Sequence, residues 1–335
     1  MSPRLDTQAT QPKENPMPQS EMIKHLSLPL IAAPMFLVSG PELVIAACRA
    51  GVVGAFPALN QRTTESYVQW LEQIEAALAL GPEAGVKQLG PHAVNLIVHK
   101  TNLRLEADLK VTVEHRVPIV ITSLGAAKEV VGAVHEYGGL VFHDVISIRQ
   151  AEKALAAGAD GIIAVCAGAG GHAGTLSPFA LLHELRQFTD KTLILAGVIS
   201  TGAQAAAAIV AGADMVSVGT RFIATRESMA STAYKEMITR SSAADIIYTP
   251  KISGVNANFI GQSILDAGLD LATLQHEGPI DMGVELGPES KAWRDIWSAG
   301  QGVGAIRDIP ATAELLRRMR VEYAGALDRA MALRG

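Results

Sequence analysis

From Leu28 to Val218 the chain alternates short apolar runs with segments of helical periodicity, and this alternation limits the folds open to it more than any other feature. The apolar runs are Leu30–Ala33, Val52–Phe56, Ala93–Val98, Ile119–Thr122, Gly139–Phe142, Gly161–Val165, Leu193–Ala196 and Met215–Val218. Between them lie amphipathic stretches such as Pro41–Ala50, Thr64–Leu78, Ala126–Tyr137, Ile148–Ala157, Pro178–Phe188 and Gly202–Ala211. Strand followed by helix, repeated, means parallel pairing, because a parallel neighbour is reached only by a crossover. About eight such units over roughly 200 residues match a (β/α)8 TIM barrel. An open doubly wound sheet is the competitor. It is weakened because Ala33-Pro34-Met35, and not a glycine-rich dinucleotide turn, follows the first strand.

A repeated phrase fits the barrel. Ala-Ala-Gly-Ala-Asp-Gly-Ile-Ile (156–163) and Val-Ala-Gly-Ala-Asp-Met-Val (210–216) each read as a helix end, a glycine, an aspartate and a buried strand. Gly158 and Gly212 would take the left-handed turn that stops each helix. After Arg240 the rhythm breaks: 248–262 is rich in Gly, Asn, Ser and Thr, and 274–290 carries Gly and Pro without strand alternation. The expected organisation is an extension over 1–24, a barrel over 25–245, a lid-like subdomain over 246–305, and a C-terminal helix over 306–335 that packs on the barrel. The extension holds Pro3, Pro12, Pro16 and Pro18 among polar residues and reads as disordered.

Composition narrows the function classes. Apolar residues make up 49% of the 335 and charged ones 18%, as suits a large buried sheet. No apolar run approaches the ~20 residues that span a bilayer. The N-terminus lacks a secretory or transit pattern, so a soluble, cytoplasmic protein with no membrane partner is expected. A net charge of -5 argues against nucleic acid as a partner. The two cysteines, Cys48 and Cys166, lie in apolar segments without metal or disulfide spacing and read as buried thiols.

Chemistry concentrates at strand ends. Gly168-Ala-Gly-Gly-His-Ala-Gly-Thr175 follows the sixth strand and precedes Ser177-Pro178, a helix start with Ser as N-cap. A histidine on so glycine-rich a backbone, His172, suits close approach of a planar ligand and a role as proton acceptor or hydrogen-bond donor; an incidental loop histidine is the plainer reading. Gly197 to Gly202 after the seventh strand, and Gly219-Thr220-Arg221-Phe222 after the eighth, would offer N–H groups and hydroxyls to a phosphate. Arg221 reads either as a structural ion pair or as a phosphate ligand. Asn95 ends a strand among apolar neighbours and reads as a satisfied core amide or as a contact to a polar heterocycle. His143, Asp144 and His172 share the barrel mouth, but with neither a helical His pair nor a carboxylate cluster no metal is expected. Ser123 lacks the flanking pattern of a nucleophile elbow.

Taken in order, Pro34-Met35, Asn95, Gly-Gly-His-Ala-Gly, Ala-Gly-Val-Ile and Gly-Thr-Arg-Phe resemble the motifs of the nitronate monooxygenases, FMN-dependent barrels once called 2-nitropropane dioxygenases. Ile296-Trp-Ser-Ala-Gly-Gln301 resembles their C-terminal loop near the flavin, and the likeness runs over about residues 28–305. The resemblance implies FMN in the barrel mouth. Ala33, Pro34 and Met35 would line the ring, with Asn95 and Asp144 at its polar edge. Gly170 and Gly171 would pass close to it, Gly197, Gly219 and Thr220 would hold the phosphate, and Gln301 would lie nearby. It implies His172 as the catalytic residue, facing a nitronate that O2 helps convert to a carbonyl compound and nitrite. Many relatives carry Lys where this chain has Asp144; a cation there would favour an anionic reduced flavin and a carboxylate would not. The same superfamily includes FMN-dependent enoyl-thioester reductases that use a nicotinamide donor. A non-catalytic barrel binding a phosphorylated metabolite is the third reading, and a homodimer is the assembly to test.

Overall fold

The computed structural model describes residues 19–125, 128–270, 272 and 294–333. Eight parallel strands close into a barrel in chain order. They are β1 (Leu30–Ala32), β2 (Val53–Pro57), β3 (His92–Ile97), β4 (Ile119–Ser123), β5 (Leu140–Val145), β6 (Gly161–Val165), β8 (Thr192–Ala196) and β9 (Met215–Val218). The barrel closes where β1 pairs with β9, Ile31 opposite Ser217. The two-residue strand β7 (Gly171–His172) stands outside the barrel and pairs with β11 (Ala257–Ile260), which pairs with β10 (Ile246–Thr249), all antiparallel.

Side-chain alternation sets what fills the barrel. Ile31, Val53, Ala55, Ala93, Ile119, Ile121, Phe142, Ile163, Ile194 and Met215 pack together inside it. The residues of opposite parity, such as Val94, Leu96, Val120 and Val141, meet the helix layer. Asn95 lies two residues beyond Ala93, Ser123 two beyond Ile121 and Asp144 two beyond Phe142. The interior-facing rows of three adjacent strands therefore end in polar groups at the carboxyl end of the barrel.

The repeated phrase does what its glycines suggest, and more. Gly158 and Gly212 have φ of +99° and +109°. The aspartate that follows each serves the preceding strand. Asp160 Oδ2 accepts from Val141 N at 2.8 Å, and Asp214 Oδ2 from Leu193 N at 2.8 Å. Ser177 stands at the N-cap with Pro178 in the first turn, but its hydroxyl makes no capping bond. Thr201 and Gln204 form a reciprocal capping box at the start of Gly202–Val210. Leu105–Glu114 is a helix that periodicity does not single out, since its Val111-Thr112-Val113 run favours a strand. Buried Asp108 anchors it, accepting from Thr64 Oγ1 at 2.8 Å and Arg104 at 2.9 Å.

At the amino end the disordered reading of 1–24 needs correction. Gln19–His25 is helical, and Met22 packs with the barrel-interior residues, its buried side chain supplying what composition alone does not show. Residues 1–18 lie outside the described residues, as do 271 and 273–293 of the stretch expected to form a lid. The helix Thr312–Ala332 lies along Gly202–Val210, where Glu322 Oε2 accepts from Gly202 N at 2.7 Å. A Cβ on Gly202 would run into the carbonyl oxygen of Met319. Among the described residues no helix is long and apolar enough to cross a membrane.

Candidate active site

A cavity of about 780 Å3 opens at the carboxyl ends of the barrel strands. Ala33, Pro34 and Met35 after β1, Asn95 on β3, Asp144 on β5, Gly170, Gly171 and His172 after β6, Gly197 after β8, and Gly219 and Thr220 after β9 all line it. Gln301 does not: its side chain is exposed, and its backbone N–H donates to Gly168 O at 2.9 Å, tying two loops together. The loop after β1 is held from behind. Ser39 Oγ donates to Ala33 O at 3.1 Å and accepts from Met35 N at 3.0 Å, while Asn60 Nδ2 donates to Met35 O at 3.1 Å.

One wall of the cavity is a hydrogen-bonded chain across three strands. Asn95, buried, donates from Nδ2 to Ile121 O at 3.1 Å and to Ser123 Oγ at 2.8 Å. Ser123 Oγ then donates to Asp144 Oδ2 at 2.5 Å. Burial pushes the Asp144 carboxyl up to about 6, against the opposing pull of the Ser123 bond. His143, on the same strand, shares a hydrogen bond with Thr122 Oγ1 at 2.7 Å, and burial lowers its imidazole to about 4. Among the described residues no group of His, Cys, Asp and Glu is arranged to hold a metal ion.

Two strands further round the barrel, β8 and β9 supply hydroxyls and open backbone. Ser200 is buried and lines the cavity, yet its Oγ has no hydrogen-bond partner among the described residues. Thr220 Oγ1 accepts from Gly300 N at 2.9 Å. Arg221 turns away from the cavity: its buried guanidinium reaches Asp308 Oδ1 at 3.1 Å and Asp308 O at 3.2 Å, which makes it a structural pair. Ser123 is a cavity residue that motif reading passes over, whereas Ser200 belongs to the 197–202 loop expected to offer hydroxyls to a phosphate. Strand parity would have placed Ser123, and the Thr201-x-x-Gln204 signature sets Ser200 just before a helix start.

The glycine-rich segment is held by the antiparallel sheet above the barrel. His172 lies opposite Ala257, and Gly171 opposite Asn258. Gly171 N donates to Ser298 Oγ at 2.6 Å, Ser298 Oγ donates to Asn258 O at 2.8 Å, and Asn258 Nδ2 donates to Ala169 O at 2.7 Å. Tyr234 donates its hydroxyl to Ser298 O and stacks on Trp297, ring centroids 5.0 Å apart. Tyr248 donates to Ala173 O at 2.9 Å. Gly170 is a glycine for a protein reason: a Cβ there would lie 2.9 Å from Gly300 N. Burial lowers the His172 imidazole to about 4, so it is neutral at pH 7 and able to accept a proton.

A sequence profile described as nitronate monooxygenase matches residues 19–322. A nitronate monooxygenase of Paraburkholderia phytofirmans is 27% identical, the match covering 90% of this chain and 93% of that protein. The crystal structure of a nitroalkane oxidase from Streptomyces ansochromogenes superposes with a TM-score of 0.78 at 25% identity, over 92% of this chain and 99% of the other. FabK from Thermotoga maritima shares the fold, with a TM-score of 0.76 at 22% identity over 94% and 98% of the two chains.

Proposed function

The chain belongs to the nitronate monooxygenase family of oxidoreductases, and from that membership we propose that it binds FMN and oxidises an alkyl nitronate with O2 to a carbonyl compound and nitrite. The observation that carries the reading is the two-ended polarity of the mouth cavity. The β3–β5 wall offers an amide and a carboxyl, the β8–β9 wall offers hydroxyls and close-approach backbone, and Ala33, Pro34 and Met35 provide apolar surface. Its volume falls within the ~300–1,000 Å3 usual for small-molecule and cofactor sites.

The residues present fit the cofactor. A buried hydroxyl left without a partner costs about 1–3 kcal/mol. The Ser200 hydroxyl is such a group, and a phosphate oxygen would satisfy it. Ser200, Gly197, Gly219 and Thr220 would hold the phosphate, Met35 and its neighbours would flank the ring, and Asn95 and Asp144 would meet its polar edge. Bound FMN would supply the electron acceptor that no side chain provides. His172 binds the nitronate oxygens, or takes the α-proton of a neutral nitroalkane onto an imidazole nitrogen. Burial leaves the imidazole unprotonated near pH 7, with a lone pair free to accept, and also makes it a weaker base than a free histidine. Ser298 and Asn258 keep the His172 segment in place, and Tyr248 bonds the carbonyl of Ala173 beside it.

The test is anaerobic absorbance of the purified protein, mixed in turn with a small alkyl nitronate and with NADPH. Bleaching of the flavin bands by nitronate alone is the expected result. Bleaching by NADPH alone would overturn the reading in favour of a nicotinamide-dependent enoyl-thioester reductase. A colourless protein that takes up no FMN would leave a non-catalytic barrel that binds a phosphorylated metabolite.

A further inference from the structure

The chain Asn95–Ser123–Asp144 has a fixed direction. Ser123 has one hydroxyl proton and gives it to Asp144 Oδ2, so toward Asn95 it can only accept. Asn95 spends both amide hydrogens, on Ser123 Oγ and on Ile121 O, and is left with Oδ1 as an acceptor. Asp144 Oδ1 makes no hydrogen bond among the described residues, and no Lys or Arg there pairs with the carboxylate. Asn95 and Asp144 both line the cavity.

We propose that Asp144 is the positioning residue of this wall: through Ser123 it locks Asn95 as an acceptor, and it presents its own carboxyl O–H as a donor, an acceptor–donor pair matched to a ring edge on which N–H and C=O alternate. The flavin ring carries such an edge, so the assignment rests on the FMN reading above. The surroundings keep the proton available. The other titratable groups on the cavity walls are His143 on the same strand, His172 on β7, His99 in the loop after β3, Lys153 on the helix after β5, and Tyr234 and Tyr248 from the elements above the barrel. Burial keeps His143 and His172 neutral, and Lys153, a cation on the same wall, makes no ion pair with the carboxylate among the described residues. Burial also raises the carboxyl itself to about 6. A carbonyl accepting its proton would raise it further.

The experiment compares FMN dissociation constants of the wild-type protein and of Asp144→Asn, which carries a permanent donor, from pH 5 to pH 8 by quenching of flavin fluorescence. Ionisation of the FMN phosphate is common to both proteins and cancels in the ratio. The expected ratio, wild type over variant, rises at least tenfold across that range as the carboxyl loses its proton. Asp144→Ala, with neither donor nor acceptor, loosens FMN at pH 5 by about tenfold, equivalent to ~1.4 kcal/mol. Ser123→Ala removes the bond that favours the carboxylate and shifts the wild-type transition to higher pH. A ratio that stays constant with pH, while wild type binds FMN tightly, overturns the role of Asp144 and leaves the proposed activity standing. A wild-type protein that binds no FMN overturns both.

Discussion

His172 sits on a strand only two residues long, held by its pairing with Ala257 and by the bond from Gly171 N to Ser298 Oγ. Replacing it with alanine removes the imidazole and leaves the Gly171 and Ala173 backbone bonds in place. The His172→Ala protein is expected to keep its FMN within about twofold of wild type and to lose turnover by the ~10²–10⁴ typical of a general acid–base group. Steady-state oxygen consumption, read beside the flavin-to-protein ratio, checks this; unchanged turnover would remove His172 from the chemistry. At this scale the sequence was legible where a residue type is rare in its setting. A histidine among glycines and an asparagine inside an apolar strand stand out, and both line the cavity. Ser123 does not stand out, because a serine closing an apolar run has many uses and only the fold shows which way it points. Gln301 was placed by its motif near the site, and it lies behind Gly168 while Ser298 and Gly300 line the cavity.

Among elements, the strands that alternate with helices were readable to within a few residues, since a parallel strand buried on both faces is an uninterrupted apolar run. The β7–β11–β10 sheet was not, because a two-residue strand has no periodicity and its partner lies 85 positions away, Ala257 opposite His172. The C-terminal helix expected to pack on the barrel does so through Gly202–Val210, a partner the sequence does not name, and Gly202 is its most exacting position. Gly202→Ala must push the two helices apart against the Met319 carbonyl. Overpacking of this kind costs about 1–3 kcal/mol. Thermal unfolding is expected to show a lower midpoint for this variant, while an alanine at Gly212, whose Cβ would meet no atom within 4 Å, acts through its left-handed φ of +109° instead. A Gly202→Ala midpoint equal to wild type would mean the helices are not in contact in solution.

At the level of the whole molecule, burial gives the fold a pH signature. His92, His143 and His172 are all lowered to about 4, so between pH 6.5 and 4 the unfolded chain binds more protons than the folded one at three sites. Asp144 runs the other way: its raised carboxyl contributes stability that is lost as pH rises through about 6. With three groups against one, stability is expected to fall as the solution is acidified from pH 6.5 toward 4. Melting temperatures taken at intervals across that range check the sign, and a flat or rising profile on acidification would mean these histidines are not buried neutral.

The mouth of the barrel is a clamp with one fixed jaw and one adjustable jaw. On the β6 and C-terminal side, backbone rests on backbone: a Cβ on Gly300 would lie 2.5 Å from Gly168 O, and one on Gly170 would meet Gly300 in turn. Nothing can be added there without prying loops apart, so that jaw transmits its shape unaltered to whatever it grips. The opposing jaw is made of side chains, Asn95, Ser123 and Asp144, whose polar groups bond to one another in a row. Retuning this barrel for another ligand, by selection or at the bench, is therefore a matter of rewriting a handful of letters on β3 to β5 while the glycines stay as they are.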